Sequence, residues 1–377
     1  MNVVEWLLDS DPSIRWQVMR DLTGEPDEAV AGERAKVATE GWGARLLALQ
    51  DPDGQWGKDV LPPATTSEDG FPEVATRRVL REVHGFSLDD LAGFLGLDSA
   101  TLTKWENEPD PQGEGYAKYR SVVNWMRKSI GTLKPEWTST TFTLLLLRDM
   151  GLDPASDRAR RAVELVRDNS KWDHDGQDYF DGEVEPCING KTVALGAYFG
   201  QKVDGIVERL LGEQLSDGGW NCEAERGSIR SSFNSTIAVL EGLLEYERAG
   251  GGHPNVGAVR LRGQEYLLGR RMFRRLSNGE VVDPAWTQFS FPTRWHYDVL
   301  RGLDYLRTAG VEPDERCAEA IDLVESKRDA DGRWPLENTH QGRVHFEMED
   351  GDGMPSRWNT LRAMRVLAWS RRLAPAI

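Results

Sequence analysis

Three arginines stand in one repeated phrase, and a phrase that sets arginine beside a helix start has the makings of an anion site. Pro12-Ser13-Ile14-Arg15-Trp16, Pro292-Thr293-Arg294-Trp295 and Pro355-Ser356-Arg357-Trp358 share the form Pro–Ser/Thr–(x)–Arg–Trp. Proline suits the first turn of a helix, where its missing N–H has no intrahelical partner anyway. Arg15, Arg294 and Arg357 could therefore converge on a carboxylate or phosphate through planar forks beside helix N-termini. Equally, each could pair with a nearby acid and tie adjacent repeats together. Trp16, Trp137, Trp295 and Trp358, with Phe233, Phe291 and Tyr297, could wall a pocket for an apolar or cationic group, or simply pack between helices. His296-Tyr297-Asp298 sets an imidazole that titrates near neutral pH beside a carboxylate, as proton transfer requires. The run 340–350, rich in charged and aromatic residues, is longer than a minimal connection and predicts a lid. The run 273–290 is a comparable loop.

The elements that would position these groups are helical. Gln50-Asp51-Pro52-Asp53-Gly54-Gln55-Trp56, Gln214-Leu215-Ser216-Asp217-Gly218-Gly219-Trp220 and Arg328-Asp329-Ala330-Asp331-Gly332-Arg333-Trp334 read alike, with a weaker copy at 173–177. Asp and Gly stop a helix in a tight turn, and the Trp then buries a large ring against the next hairpin. Apolar helices are predicted at 14–22, 138–150, 187–199, 231–247, 295–309 and 356–371. Helices with one wet face alternate with them at 27–50, 157–168, 203–213, 255–270 and 313–328. Six inner helices suit a closed ring, and an open superhelix of similar repeats is the rival architecture.

Composition narrows the function. Among 377 residues the net charge is −16 and no run of eighteen apolar residues occurs, which argues against a transmembrane helix. The start lacks a basic segment followed by an apolar one, so no secretory signal is expected. Cys187, Cys222 and Cys317 fit no disulfide framework and suit a reducing cytoplasm. The acidic balance speaks against broad binding to nucleic acid, which depends on basic groups neutralising phosphates.

The Gln-x-x-x-Gly-x-Trp phrases resemble the repeats of the squalene cyclase and protein prenyltransferase β-subunit superfamily. The resemblance covers the chain except about 58–131. It implies an all-α fold, an α/α toroid of about six inner and five to six outer helices formed by 1–57 and 132–377. It also implies a central pocket lined by the first turns of the inner helices, and an isoprenoid-like or other amphipathic anionic ligand. The Asp-x-Asp-Asp of proton-initiated cyclases is missing, so that chemistry is not expected. Prenyltransferases of this superfamily hold zinc with an Asp-x-Cys and a later His. Glu185-Pro186-Cys187 has nearly the first form, but Asn234 stands where the His would be, and Asn is a poor zinc ligand. Cys222 and His296 could complete a different zinc site with Cys187. Otherwise Cys187 with Glu185 could serve as a base.

The stretch 72–130 reads as a separate helical insertion. Its run Leu91-Ala92-Gly93-Phe94-Leu95-Gly96-Leu97-Asp98-Ser99-Ala100-Thr101-Leu102-Thr103-Lys104-Trp105-Glu106 resembles the phage-repressor-like helix–turn–helix family. The resemblance implies that Ser99, Thr101, Thr103 and Lys104 face a DNA major groove, with the protein as a dimer. The module could instead be a packing or protein-contact element. Between Glu73 and Lys128 eight basic residues face nine acidic ones. The expectation is an enzyme of terpene-cyclase or prenyltransferase ancestry, a transferase or an isomerase/lyase. A non-catalytic ligand sensor, whose inserted module touches DNA or a protein, is the alternative.

Overall fold

The computed structural model describes residues 2–58, 71–134, 136–172 and 176–371. The α-helices run, in chain order, α1 (Val3–Leu8), α2 (Pro12–Val18), α3 (Asp27–Ala35), α4 (Gly41–Ala48), α5 (Val74–Val83), α6 (Leu88–Leu95), α7 (Ser99–Asn107) and α8 (Tyr116–Ser129). Then follow α9 (Thr140–Asp149), α10 (Asp157–Asn169), α11 (Pro186–Tyr198), α12 (Asp204–Gly212), α13 (Phe233–Arg248), α14 (Val256–Gly269), α15 (Val299–Thr308), α16 (Ala318–Ser326) and α17 (Arg357–Ser370). The only paired strands among the described residues are the two-residue β1 (Trp334–Pro335) and β2 (Pro355–Ser356). The fold is all-α.

Helices α2, α9, α11, α13, α15 and α17 form the inner ring, and hydrogen bonds and close packing join them in a circle. The Trp16 indole of α2 donates to the Met150 carbonyl at the end of α9 at 2.8 Å, and the Gln17 amide donates to the Asp149 carbonyl. Helices α11 and α13 touch backbone to backbone: a Cβ on Gly242 would lie 2.2 Å from the Gly190 carbonyl oxygen, so only glycine permits that approach. Arg301 of α15 pairs with Glu241 of α13, and Arg365 of α17 returns to Gln17 and Asp21 beside α2. The ring is closed, not an open superhelix.

The three good repeats are built alike. The indole N–H of Trp56 donates to the Leu46 carbonyl at 2.7 Å, that of Trp220 to Leu210 at 2.7 Å, and that of Trp334 to Val324 at 2.6 Å. Each of these Trp backbone N–H groups donates to a threonine hydroxyl on the next inner helix, Thr140, Thr236 or Thr360. Gln50 and Gln214 reach the Gly54 and Gly218 carbonyls and also an outer helix, at Ala162 and Val259. Residues 173–175 of the weaker copy lie outside the described residues, and its Trp172 bonds forward to the Tyr179 carbonyl instead.

Helix starts depart from the sequence expectation, and this matters for the site. The predicted outer helix 27–50 is broken into α3 and α4 at Gly41, whose φ is +63°. The fifth inner helix begins at Val299, not at residue 295, because the Asp298 carboxylate caps it by accepting from the Arg301 N–H at 2.7 Å. Trp295, His296 and Tyr297 therefore sit in a loop.

The insertion has its own core, including Leu80, Leu91, Leu95, Leu102, Trp105, Tyr119, Val123 and Met126, separate from that of the ring. Helix α6 opens with a reciprocal Ser87–Asp90 cap, Gly96 turns the chain at φ +73°, and Asp98 caps α7. Buried Arg81 pairs with buried Glu106 at 2.6 Å.

Candidate functional site

The inner helices enclose a cavity of about 230 Å³. Its wall carries seven cationic side chains, Arg148, Lys191, Arg248, Arg294, Arg301, Arg362 and Arg365, against four acidic ones, Asp149, Glu241, Glu245 and Asp304. That is a cationic chamber inside a chain of net charge −16. Phe142, Leu145, Leu146, Leu244, Phe291 and Trp358 supply apolar surface, and Trp358 stacks on Phe291 at 4.2 Å.

Most of the buried cations are neutralised. Arg301 makes two bonds to Glu241, at 2.8 and 2.6 Å; Arg365 meets Asp21; Arg148 meets Asp149 at 2.9 Å. Two are not. Arg294, 9% exposed, makes no side-chain hydrogen bond or ion pair with a described residue, and its guanidinium rests 4.5 Å from the Trp137 ring. Lys191, 4% exposed, donates to the Arg294 carbonyl at 2.8 Å and pairs with no described carboxylate. Burial pulls Arg294 down to about 10, against Glu347 and Glu136, and pulls Lys191 down to about 7, helped by Arg301. Arg294 also holds a left-handed backbone, φ +53°, which is uncommon outside glycine and marks a constrained position.

The 340–350 loop packs on α9 and on the start of α17. Trp137 donates to the Gln341 carbonyl at 2.6 Å, His345 meets Thr143, and Arg45 sits on the Phe346 ring. Glu349 anchors the loop's end by accepting from the Ser356 hydroxyl and from the N–H groups of Arg357 and Trp358 at the start of α17. Beneath the loop lies a smaller space of about 50 Å³, shared by Trp137, Arg294 and His340. His340 stacks on His296 at 3.8 Å, and burial, then the charge on His296, pushes it down to about 4, leaving it neutral at neutral pH. The buried His340 Nε2 and Trp358 Nε1 find no hydrogen-bond partner among the described residues. The 273–290 loop instead packs Trp286 on Phe233 and Tyr297.

Of the three repeated arginines, only Arg294 reaches the cavity. Arg15 bonds Glu33 and the Ser10 carbonyl, tying α2 to α3, and Arg357 bonds the Trp6 and Asp9 carbonyls over the Trp6 ring, tying α17 to α1. The reason is local: α2 starts before Arg15 and α17 starts at Arg357, whereas Arg294 lies in a loop. Trp137 and Trp358 line the two spaces, and Trp295 meets Phe142 edge-on at 4.7 Å. Trp16 is spent on the α2–α9 seam, Tyr297 donates to the Met272 carbonyl, and Asn234 accepts from the Tyr297 N–H. The pairing of His296 with Asp298 does not form: the imidazole faces His340, while the buried carboxylate accepts from Arg301 and Ser290 N–H groups.

A second cluster sits at the start of α11. Oxygen and sulfur atoms of Glu185, Cys187 and Cys222 all lie within 4.8 Å of one another, and this is the only such metal-capable group among the described residues. His296 is not part of it; Glu185 takes that place. The sulfurs share a hydrogen bond at 2.7 Å, which pushes Cys187 up and Cys222 down. Two thiolates and a carboxylate fit a soft divalent cation with one open position. Two bonds of about 2.3 Å at a tetrahedral angle need the sulfurs about 3.8 Å apart, so they would open on loading. Elemental mass spectrometry of the purified protein is expected to find about one zinc per chain, lost in Cys187→Ala and in Cys222→Ala but kept in His296→Ala. No metal in any preparation would leave an ordinary thiol pair.

In the insertion, the residues expected to face DNA are engaged locally. Ser99 bonds Asp89, Thr101 completes the Asp98 cap, Thr103 bonds the Ser99 carbonyl, and Lys104 faces Glu108 at 3.6 Å.

These observations define a closed ring of helical hairpins around a cationic chamber. Beyond that class the comparisons are silent: no protein-family model and no curated protein matches the chain. Sequence reasoning missed Lys191, Glu241, Arg301, Arg362 and Arg365. The available signal was a lone charge inside an apolar inner helix, because a buried charge is the informative exception to apolar cores.

Proposed function

We infer that the ring binds a small, partly apolar anion in its central cavity and acts on it as an enzyme, in keeping with the terpene-cyclase and prenyltransferase resemblance. The observation that carries this reading is the adjacent pair of buried bases, Arg294 and Lys191, that make no ion pair with a described residue. Burying a charge without a partner is costly, and an anion entering the chamber supplies the missing charge. The Trp358 Nε1, which lines the same cavity, would find a partner in the same event. Cavity size limits the ligand: 230 Å³ lies below the roughly 300–1,000 Å³ of drug-sized pockets. A five-carbon isoprenoid diphosphate or branched short-chain carboxylate suits it better than a triterpene. A zinc ion held by Glu185, Cys187 and Cys222 would supply Lewis-acid chemistry at that end of the ring.

Calorimetric titration of the full chain with isopentenyl diphosphate, 4-methylpentanoate and the matching neutral alcohols tests the reading. At least one anion should bind, the alcohols should not, and Arg294→Gln should weaken binding by about tenfold or more, as expected for one lost charge-assisted pair. Equal binding of anion and alcohol, or no effect of Arg294→Gln, would overturn it.

A further inference from the structure

The geometry points to Lys191 as a nucleophilic amine that condenses with the carbonyl carbon of a small 2-oxo acid whose carboxylate is held by Arg294. This deepens the anion-binding reading and rests on it. Lys191 stands in the middle of α11, an inner helix buried along nearly its whole length, and its side chain lines the central cavity. Its ammonium would have three protons to donate, but among the described residues it has one acceptor, the Arg294 carbonyl at 2.8 Å. The Trp295 ring lies 5.2 Å away. Glu241, on the adjacent helix α13, is committed to Arg301 through both oxygens.

A structural lysine at such depth ordinarily has a carboxylate, because an unpaired buried ammonium is unfavourable. Lys191 instead makes no ion pair with a described residue, and burial, helped by Arg301, outweighs the opposing charge of Glu241 and favours the neutral amine. Its lowered affinity for a proton, to about 7, agrees with that placement and leaves a useful fraction of free amine at neutral pH. The bond to the Arg294 main chain sets the two residues side by side on one wall. An arginine with no ion pair to a described residue and a lysine with no carboxylate bound to it, lining one wall, match a carboxylate beside a carbonyl. Phe142, Phe291 and Trp358 leave apolar room for a short branched tail.

The step balances without an added oxidant or reductant. The Lys191 nitrogen lone pair forms a bond to the carbonyl carbon as the C=O π pair moves to oxygen. A proton passes from nitrogen to oxygen to give a carbinolamine. The hydroxyl then leaves as water, taking a second nitrogen proton, and C=N forms.

The test uses the intact chain with 4-methyl-2-oxopentanoate and sodium cyanoborohydride, followed by intact-mass and peptide-mapping mass spectrometry. One reduced adduct per chain, mapped to Lys191 and competed by 4-methylpentanoate, is expected. In Arg294→Gln its yield should fall by about tenfold or more. Lys191→Met should give none, and because the wild-type map identifies the site directly, the test survives if that variant folds poorly. Labelling scattered over exposed lysines with Lys191 unmodified would overturn the proposal. Binding of the oxo acid by calorimetry without any trapped adduct would overturn it while leaving the anion-binding reading intact. Absence of binding by any anion tested would overturn both.

Discussion

Trp220→Ala is expected to destabilise the ring by about 3–5 kcal/mol, the usual range for deleting a large buried aromatic. The indole is fully buried, and its ring lies against Gly263 of α14, where an added Cβ would come within 3.1 Å of it. Two further terms add to the lost burial. The Leu210 carbonyl at the end of α12 loses the only side-chain donor it is given, and the Trp220 ring no longer fixes the turn that sends the chain into α13. Trp220→Phe separates these effects. It keeps most of the apolar ring but strands the Leu210 carbonyl, and should cost less, about 1–3 kcal/mol. Guanidinium unfolding followed by circular dichroism measures both. The same order of loss is expected at Trp56 and Trp334, which repeat the contact at other points of the ring. A cost below about 1 kcal/mol for Trp220→Ala would mean that the repeated tryptophans fill space without holding the hairpins together.

This mechanical reading was legible before any coordinates because the signal repeats. Gly-x-Trp after an apolar helix occurs three times at hairpin spacing, and each copy needs the same turn and the same burial. Inner and outer helices could be told apart for a similar reason: Leu144-Leu145-Leu146-Leu147 can only face protein, while 157–168 has a wet side. The three arginines were less legible, although their phrase also repeats. A shared phrase does not fix where a helix begins. Asp11 starts α2 ahead of Arg15, Ser356 starts α17 at Arg357, and Asp298 delays α15 past Arg294. Those cap choices send two arginines to neighbouring carbonyls and leave the third in the chamber. His296 went astray for the same reason, since a loop residue turns towards whatever packs on it, here His340. The proximity of Glu185, Cys187 and Cys222 was only half legible, because Cys222 belongs to the next repeat and reaches Cys187 only once the two hairpins stack. Lys191 and Glu241 carry no helix-start signal, since they lie more than a turn inside α11 and α13, and Arg301 sits in the first turn of a helix whose start the sequence places too early.

Glu241 tests how the chamber tolerates so many cations. Burial would raise its carboxyl, but the Arg301 guanidinium, helped by Lys191 and Arg148, overrides burial and holds it down at about 2. Glu241→Leu is expected to cost about 3–5 kcal/mol, because Arg301, 5% exposed, is left as an uncompensated charge next to Lys191 and Arg148. Removing both charges as Glu241→Leu with Arg301→Met should recover much of that loss, since two apolar side chains of similar size need no desolvation of ions. A double-mutant cycle by chemical denaturation reads the coupling directly. The pH dependence follows with a definite sign. A carboxyl depressed in the folded state contributes its full stabilisation above its ordinary value of 4.5 and loses it as pH falls towards 2. The wild-type protein should therefore weaken across that window more steeply than the double variant. Parallel pH profiles for the two would show that Glu241 is not held low by Arg301. Additive costs in the cycle would show that the pair contributes no coupling across the α13–α15 seam, and that the ring is closed there by packing alone.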